Sequence, residues 1–216
     1  MTDYYGREDP YPSPDPFELI LWENIGYLVN DERRREAFEA FKQNIGTHPE
    51  SILRASRKSL HEVAKIGGML PEMRVQKLLT IARIAKDEFG GHLNSVVKMP
   101  LTRAKKALKM FPSIGDPGAE KVLLFSESYP VMALESNGLR VLLRLGFGHE
   151  HKSYSATYRS VQKALEGQFK EDIDRLIQAH LLLRRHGQQL CRRTRPICQP
   201  CPLKKTCGYY AGGGKL

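Results

Sequence analysis

Hydrophobic positions recur every three or four residues along most of the chain, which is the spacing of one face of an α-helix. Residues 71–89 show this best, with apolar side chains at Val75, Leu78, Ile81 and Ala82. No segment alternates apolar and polar residues as a half-buried strand does. The pattern predicts an all-α fold with helices over residues 17–29, 31–45, 50–55, 59–66, 71–89, 101–110, 117–125, 137–145, 154–166 and 170–186.

The two ends of the chain lack this periodicity. Residues 1–15 are rich in Pro, Asp and Tyr and predict a disordered lead-in, with order beginning at Pro16 or Phe17. Residues 208–216 end in a glycine-rich stretch and predict a flexible tail. Asp31 is the expected N-cap of the second helix.

Charge indicates an anionic partner. The 216 residues carry a formal net charge of +10, and 41% of them are hydrophobic, enough for a buried core of one domain or two small lobes. Two basic stretches, residues 91–114 and 176–216, contain no Asp or Glu. We expect at least one of them to bind an anion, with nucleic acid the first candidate. Their cations are Lys98, Arg103, Lys105, Lys106 and Lys109, and Arg184, Arg185, Arg192, Arg193, Arg195, Lys204, Lys205 and Lys215.

Membrane and export signals are not found in the sequence. No apolar run approaches the ~20 residues that span a bilayer, and the N-terminus lacks a basic region followed by an apolar one. We therefore expect an intracellular, cytoplasmic protein with no membrane contact.

The four cysteines lie close together, with the spacing C-x6-C-x2-C-x5-C: Cys191, Cys198, Cys201 and Cys207. Disulfides are disfavoured in a reducing compartment, so metal binding is the better interpretation. Four thiolates can hold one zinc ion or one [4Fe–4S] cluster, and fortuitous free thiols are the remaining alternative. The spacing resembles the cluster-binding loop of the endonuclease III family of DNA glycosylases, which favours the cluster.

The segment from Phe111 to Gly115 extends this resemblance. It stands where the family has the hairpin Leu-Pro-Gly-Val/Ile-Gly between two DNA-binding helices, here 101–110 and 117–125. Such a turn directs backbone N–H groups towards a phosphate, and Asp116 and Pro117 suit the N-cap and first residue of the second helix. An ordinary helix–helix turn is the alternative. The resemblance implies a monovalent cation at the hairpin and DNA contacts from Pro112, Ser113, Ile114, Gly115, Gly118 and Lys121.

Further matches extend the resemblance from Pro16 to Cys207, and the chain is similar to the helix-hairpin-helix DNA glycosylases, including the adenine glycosylases. The resemblance implies a two-lobed all-α fold with the active site in the cleft between the lobes. A six-helix lobe would cover residues 31–130, with the helix-hairpin-helix at about 101–125. Residues 16–30 and 131–207 would form the second lobe, which carries the cluster loop.

The expected catalytic residues depart from the family pattern. Glu135 falls on the position of the family's catalytic aspartate, ahead of the matching pair Arg140-Val141. Pro117 stands where bifunctional members have a Schiff-base lysine, and proline has no amine, so water is the expected nucleophile. Glu135 would stabilise the oxocarbenium-like sugar and position that water.

Two further residues each have two interpretations. Glu23 is near the position of the adenine glycosylases' catalytic glutamate, so it would protonate the leaving base; a surface or salt-bridged glutamate is the alternative. Lys121, one helical turn beyond Pro117, could be a substitute amine, but a surface or phosphate-contacting lysine is the preferred interpretation.

Other DNA contacts are expected outside the hairpin. Tyr27 and Leu28 lie near the family's DNA-intercalating residue, where glutamine is usual, and core packing is the alternative. Arg192, Arg193 and Arg195 lie between the first two cysteines, where the loop would present them to phosphate.

The expected function is a monofunctional DNA glycosylase of base-excision repair. As a monomer on double-stranded DNA, it would flip a damaged or mismatched base out of the helix and hydrolyse its N-glycosidic bond. Two alternatives stay open. One is a non-catalytic protein that binds damaged or structured DNA, and the other is a glycosylase with AP lyase activity through another amine.

Overall fold

A computed structural model describes residues 1–11, 13–168 and 172–214 of the protein. No strand occurs in these residues, apart from one isolated bridge between Tyr27 and Gly68, so the all-α prediction is confirmed. A 3-10 turn covers Lys204–Thr206. The α-helices are α1 Thr2–Tyr5, α2 Pro16–Ile25, α3 Asp31–Asn44, α4 Pro49–Arg54, α5 Arg57–Ile66, α6 Pro71–Phe89, α7 Asn94–Val97, α8 Leu101–Leu108, α9 Asp116–Phe125, α10 Ser136–Leu145, α11 Tyr154–Leu165, α12 Ile173–Gln189 and α13 Gly208–Ala211.

The chain forms two compact units. Tyr11–Tyr129 is here called the hairpin unit, and Met1–Pro10 together with Pro130–Leu216 is called the cysteine unit. This division differs from the expected one, in which residues 16–30 belonged to the lobe with the cysteines. Helix α2 belongs to the hairpin unit because it packs against α3, α6 and α9 of that unit.

Helix α2 is the centre of the hairpin unit and is buried on nearly all sides, including Ile20 and Leu21. It ends at Ile25, four residues before the predicted end at residue 29. The backbone turns extended at Gly26 and left-handed at Leu28 (φ 55°), and neither conformation continues an α-helix. Tertiary pairing of this loop with the 67–68 turn therefore overrides the apolar pattern.

Helix α10 is the centre of the cysteine unit, where it packs against α11, α12 and α13. Its apolar face, which includes Leu139 and Leu142, meets Val161 of α11 and Leu183 of α12 in one buried cluster. Gly187 allows the close approach of α12, because a Cβ at that position would lie 2.8 Å from the Asn137 carbonyl oxygen.

Both chain ends are more ordered than expected. Helix α1 lies within the predicted lead-in, and residues 7 and 8 bond to side chains of α12. Helix α13 lies within the predicted tail and packs on α10, with the Arg144 guanidinium 4.5 Å from the centre of the Tyr209 ring. Contacts from distant parts of the chain order both segments, and local composition does not report such contacts.

Smaller differences concern helix boundaries. Asn30, not Asp31, is the N-cap of α3, and its side chain accepts a hydrogen bond from the Arg33 N–H. Helix α7 was not predicted, because its four residues are too few to show a period. The start of the predicted helix 170–186 and Lys215 lie outside the described residues. Within the residues described, no helix is long and apolar enough to cross a membrane.

Glu18 joins the start of α2 to neighbouring segments. Its carboxylate accepts hydrogen bonds from the Thr47 hydroxyl at 2.6 Å and from the Lys42 ammonium at 3.1 Å. Burial acts to raise the pKa of Glu18, but hydrogen bonds from Ser13, Thr47 and Lys42 outweigh it, and the pKa is lowered.

We expect Glu18→Gln to lower the free energy of unfolding by about 1 kcal/mol at neutral pH, because the charged acceptor is lost. Because the pKa of Glu18 is lower in the folded protein, its ionised carboxylate stabilises the fold at a pH above the unfolded-state pKa. This stabilisation is lost as the pH falls through the folded-state pKa. The difference between the two proteins should therefore shrink on acidification, as measured by urea denaturation at pH 7 and pH 4. Glu39→Gln, at an exposed position of α3, is the control. An equal effect of both substitutions would contradict the assignment.

Candidate functional site

The turn between α8 and α9 has a buried interior and an exposed outer surface. Phe111 and Ile114 are buried, whereas Ser113 and Gly115 are exposed. The Asn24 amide of α2 donates to the Pro112 carbonyl oxygen at 3.1 Å and fixes the turn to the hairpin unit. The exposed backbone beside the N-terminus of α9 is therefore in a suitable position to contact a phosphate.

Ser113, rather than Gly115, has the unusual backbone conformation in this turn. Ser113 is left-handed (φ 63°) at the position where the family hairpin has glycine, and the Lys77 ammonium donates to its hydroxyl at 2.9 Å. Gly115 has negative φ, and a Cβ there would only touch Pro117 Cδ at 3.8 Å. At Gly118 a Cβ would lie 3.4 Å from Ile114 Cγ2, so that glycine allows close packing.

The beginning of α9 differs by one residue from the prediction. Gly115 is the N-cap and Asp116 is the first helical residue. Asp116 forms an ion pair with Lys109 at 2.9 Å, and Glu120 forms one with Lys105 at 2.5 Å. These acidic partners from α9 neutralise two cations of the basic stretch 91–114, because the hairpin folds α9 back on α8. Its other cations, Lys98, Arg103 and Lys106, are exposed.

Lys121 is buried in an ion pair with Glu23. The ammonium lies 2.7 Å from Glu23 Oε2, and the side chains are only 12% and 17% exposed. The Tyr11 ring lies 5.8 Å from the ammonium and stacks on Phe125. Burial acts to lower the pKa of Lys121, but Glu23 and Tyr11 outweigh it, and the pKa is raised. The predicted surface position of Lys121 is therefore wrong, and its contact with phosphate stays a prediction. The salt-bridged alternative for Glu23 is the arrangement found.

Tyr27 and Leu28 are exposed by 46% and 74%, so the core-packing alternative is wrong for both. The Tyr27 N–H donates to the Gly67 carbonyl oxygen at 2.9 Å, which ties their loop to the turn that precedes α6. That turn carries Met69 and Leu70, which are also exposed. These two residues were not predicted as part of the site, although apolar residues directly after Gly-Gly and before Pro indicate an exposed apolar turn.

Glu135 is the N-cap of α10 and lies in the cysteine unit. Its Oε1 accepts from the Gly138 N–H at 2.6 Å and its Oε2 accepts from the Asn137 amide at 2.9 Å. The helix N-terminus favours negative charge at this position. A carboxylate has about four acceptor sites, so each oxygen of the half-buried side chain keeps one for a further donor.

Arg140 connects Asn137 to the first cysteine. Its guanidinium donates to Asn137 Oδ1 and to the Gly187 carbonyl oxygen, both at 2.8 Å, and to the Cys191 carbonyl oxygen at 3.0 Å. Burial lowers the pKa of Arg140. Hydrogen bonds therefore link the Glu135 carboxylate to the cysteine loop through one face of α10.

Arg144 lies one turn further along the same face. Its guanidinium donates to the carbonyl oxygens of Arg192 at 2.7 Å and Arg193 at 3.1 Å, and lies 3.3 Å from Cys191 Sγ. The roles of the two α10 arginines were not predicted, although their four-residue spacing indicates that both lie on one helix face and can contact the same neighbouring segment. The side chains of Arg192, Arg193 and Arg195 are exposed on the loop whose backbone Arg144 holds.

The four cysteines are free thiols, each half-buried, and all four line one small, mostly apolar cavity. Burial raises the pKa of Cys201, and the charges of the other three thiols add to this effect. In the described parts of the chain, no three His, Cys, Asp or Glu side chains are arranged to hold a single metal ion. A shared cavity lined by four sulfur ligands fits a multi-iron cluster.

His186 lies at the same cavity and is fully buried. Its Nε2 is 3.6 Å from Cys201 Sγ, and its Nδ1 is 2.8 Å from the Tyr5 hydroxyl. Burial lowers the pKa of His186 to about 4 and raises that of Tyr5 to about 12.

Known proteins resemble this chain over nearly its whole length. It is 24% identical over 201 residues to Endonuclease III of Thermotoga maritima, covering 93% of this chain and 86% of the relative. It is 22% identical over 210 residues to the thymine-DNA glycosylase of Aeropyrum pernix, covering 95% and 89%. No protein-family model matches the chain.

Solved structures show the same fold. A trapped covalent intermediate of Endonuclease III with DNA matches with a TM-score of 0.76 and 18% identity, covering 100% of this chain and 94% of that one. A thermostable thymine-DNA glycosylase matches with a TM-score of 0.75 and 19% identity, covering 97% and 91%. The chain is therefore similar in sequence to DNA glycosylases of the helix-hairpin-helix type, and it shares the fold of their solved structures.

Two residues depart from the pattern expected from the resemblance. Ser113 takes a left-handed conformation where glycine is expected. The match of Glu135 to the expected catalytic aspartate stays a prediction. The monovalent cation expected at the hairpin and the DNA contacts of the hairpin residues stay predictions.

We expect Ser113→Gly to raise the free energy of unfolding by about 1 kcal/mol, because glycine adopts a left-handed conformation without steric cost. Ser113→Ala removes the same hydroxyl but keeps a Cβ, so it separates the backbone effect from the loss of the Lys77 hydrogen bond. Urea denaturation of the three proteins measures the difference. Equal stability of the glycine and alanine variants would show that the turn is not strained at this position.

Proposed function

We propose that the protein is a DNA glycosylase of base-excision repair that hydrolyses the N-glycosidic bond of a damaged or mismatched base without forming a Schiff base. Its substrate is double-stranded DNA, on which it acts as a monomer. The alternatives are a non-catalytic binder of damaged or structured DNA and a glycosylase with lyase activity through another amine. The position of the Glu135 carboxylate, held at the N-terminus of α10 by two hydrogen bonds, carries this proposal.

Glu135 is suited to a reaction in which positive charge develops on a sugar. Asn137 and Gly138 orient its carboxylate before substrate arrives, so little reorganisation is needed in the transition state. Negative charge near C1′ stabilises an oxocarbenium-like sugar, and an oxygen with a remaining acceptor site can hold the attacking water. Glu135 therefore has both roles that the superfamily assigns to its aspartate.

Water is the proposed nucleophile because the hairpin unit does not offer an amine at the usual position. Pro117 is the second residue of α9 and has no amine side chain. Lys121 lies on the same helix face, but its ammonium is engaged with Glu23, and a protonated lysine cannot attack a sugar. This differs from the solved neighbour, Endonuclease III, which was trapped covalently on DNA.

Glu23 takes a different role from the one that the resemblance implies. A carboxylate in a buried ion pair is a poor proton donor, so the departing base would receive its proton from another group. We assign Glu23 and Lys121 to an ion pair with no net charge, which stabilises the packing of α2 against α9.

Two surfaces of the hairpin unit are the proposed DNA contacts. The turn at residues 112–115 and the exposed cations Lys98, Arg103 and Lys106 would hold the backbone without reading sequence. Tyr27 and Leu28, with the neighbouring Met69 and Leu70, form an exposed apolar surface suited to the gap that a flipped base leaves.

The cysteine unit would hold a [4Fe–4S] cluster through Cys191, Cys198, Cys201 and Cys207. When bound, the cluster supplies a redox-active cross-link between four points of the chain. Arg144 and the cysteines would then fix the loop that carries Arg192, Arg193 and Arg195 beside the phosphates.

We expect Glu135→Gln to reduce base excision by roughly 100-fold, because the negative charge beside the sugar is lost. Single-turnover assays over a panel of duplexes with single lesions, followed by hot alkali, measure this loss. Glu135→Asp keeps the charge and is the matched control, for which we expect substantial activity. DNA affinity should not fall in the glutamine variant.

Two results would contradict the assignment. Full excision by Glu135→Gln would remove the catalytic role from Glu135. A wild-type protein that binds DNA but excises no base from a broad panel would support the non-catalytic alternative.

We expect borohydride not to trap the protein on a duplex that contains an abasic site, because Pro117 has no amine and the Lys121 ammonium is paired with Glu23. A lysine-bearing relative gives the positive control for trapping. If a covalent adduct forms and is lost in Lys121→Met, Lys121 is the substitute amine. An adduct that persists in Lys121→Met would instead assign lyase activity to a different amine.

A further inference from the structure

The first eight residues, here called the N-terminal arm, are held against the cysteine unit by polar contacts along α12. The Glu8 N–H donates to Gln178 Oε1 at 3.0 Å, and the Gln178 amide donates back to the Glu8 carbonyl oxygen at 2.8 Å. Arg7 pairs with Asp174, and Glu8 pairs with Arg185. Reciprocal bonds and two ion pairs fix the arm to one face of α12.

Tyr5 is the residue that the arm directs inwards. Its ring packs edge-on against His186, with ring centres 5.8 Å apart, and the Arg185 guanidinium lies 5.1 Å from the centre of the same ring. Met1 packs against the buried cluster around Leu139 and Leu142, as Cys191 and Leu203 also do. The arm therefore covers the side of the cavity at which His186 lies.

The two nitrogens of His186 face different partners, and the tautomer of the ring decides which nitrogen donates. The Tyr5 hydroxyl lies 2.8 Å from Nδ1 and donates to it in the tautomer that has no proton on Nδ1. The ring proton is then on Nε2, which is the nitrogen 3.6 Å from Cys201 Sγ. Tyr5 thus directs a donor N–H towards a cysteine sulfur, as outer-shell groups commonly do for ligands.

We propose that the N-terminal arm is a cap on the cluster site, and that Tyr5 is a positioning residue that holds His186 as a hydrogen-bond donor to the Cys201 thiolate. This inference rests on the cluster assigned in the proposed function. A donor to a cluster sulfur withdraws negative charge from it and raises the reduction potential of the cluster. The buried imidazole and the arm also limit the access of water and oxidants to that ligand.

Tyr5→Phe tests the proposal because it removes the hydroxyl and keeps the ring. We expect the visible absorption of the purified holoprotein, near ~400 nm, to decay about fivefold faster under ferricyanide, as the loss of one net hydrogen bond allows. The midpoint potential should also shift to a more negative value. Tyr4→Phe changes a neighbouring, half-exposed tyrosine and should match the wild type in both measurements.

A second variant tests the arm as a whole. Gln178→Leu removes both bonds to Glu8 without contacting the cavity, and we expect it to speed cluster loss in the same direction as Tyr5→Phe. If Tyr5→Phe and Gln178→Leu both lose the cluster at the wild-type rate and keep its potential, the cap is refuted.

Iron and sulfide analysis of the wild type separates this inference from the glycosylase proposal. Zinc or no metal in the purified protein would overturn the inference about the cap and leave the excision assays unaffected. If the protein contains the cluster but excises no base, the glycosylase proposal fails. The cap is then still supported or refuted by the decay rate and midpoint potential of the two variants.

Discussion

The cysteine unit depends on two arginines of α10 that bond to backbone carbonyl oxygens in the last turn of α12 and in the loop after it. Arg140 bonds to the oxygens of Gly187 and Cys191, and Arg144 bonds to those of the next two residues. Burying a guanidinium is costly unless its donors are satisfied, so the loop and the helix constrain each other. The same face of α10 carries Asn137, which binds the Glu135 carboxylate. A candidate catalytic group and a candidate cofactor site are thereby held by a single helix.

The hairpin unit depends on a different buried charge. The Glu23–Lys121 pair lies between α2 and α9 beneath aromatic rings, and each charge there needs the other. Pro117 is the second residue of α9, where its fixed φ suits the first turn of a helix. Pro117 therefore stabilises the start of α9 and at the same time removes the amine, which is consistent with hydrolysis by water.

Much of the fold followed from local pattern. Helices α3, α6 and α11 were predicted within two residues at each end, because their apolar positions keep a helical period over several turns. The cysteine spacing and the hairpin were also recognisable, since each concentrates its signal in a few adjacent residues. The end of α2, the order of the chain ends and the unit to which residues 16–30 belong were predicted differently. Each of these depends on contacts between segments distant in sequence.

Residue identity and short-range spacing were enough to predict the helical class, the resemblance to helix-hairpin-helix DNA glycosylases, the lack of an amine at Pro117 and the four clustered thiols. Three other features became visible only in the folded chain: Lys121 is buried against Glu23, Ser113 takes the left-handed conformation of the turn, and Tyr5 reaches His186. The reason is physical. Burial, ion pairing and the orientation of a ring nitrogen are set by atoms that meet across as many as 181 positions of the chain, and no local pattern encodes them.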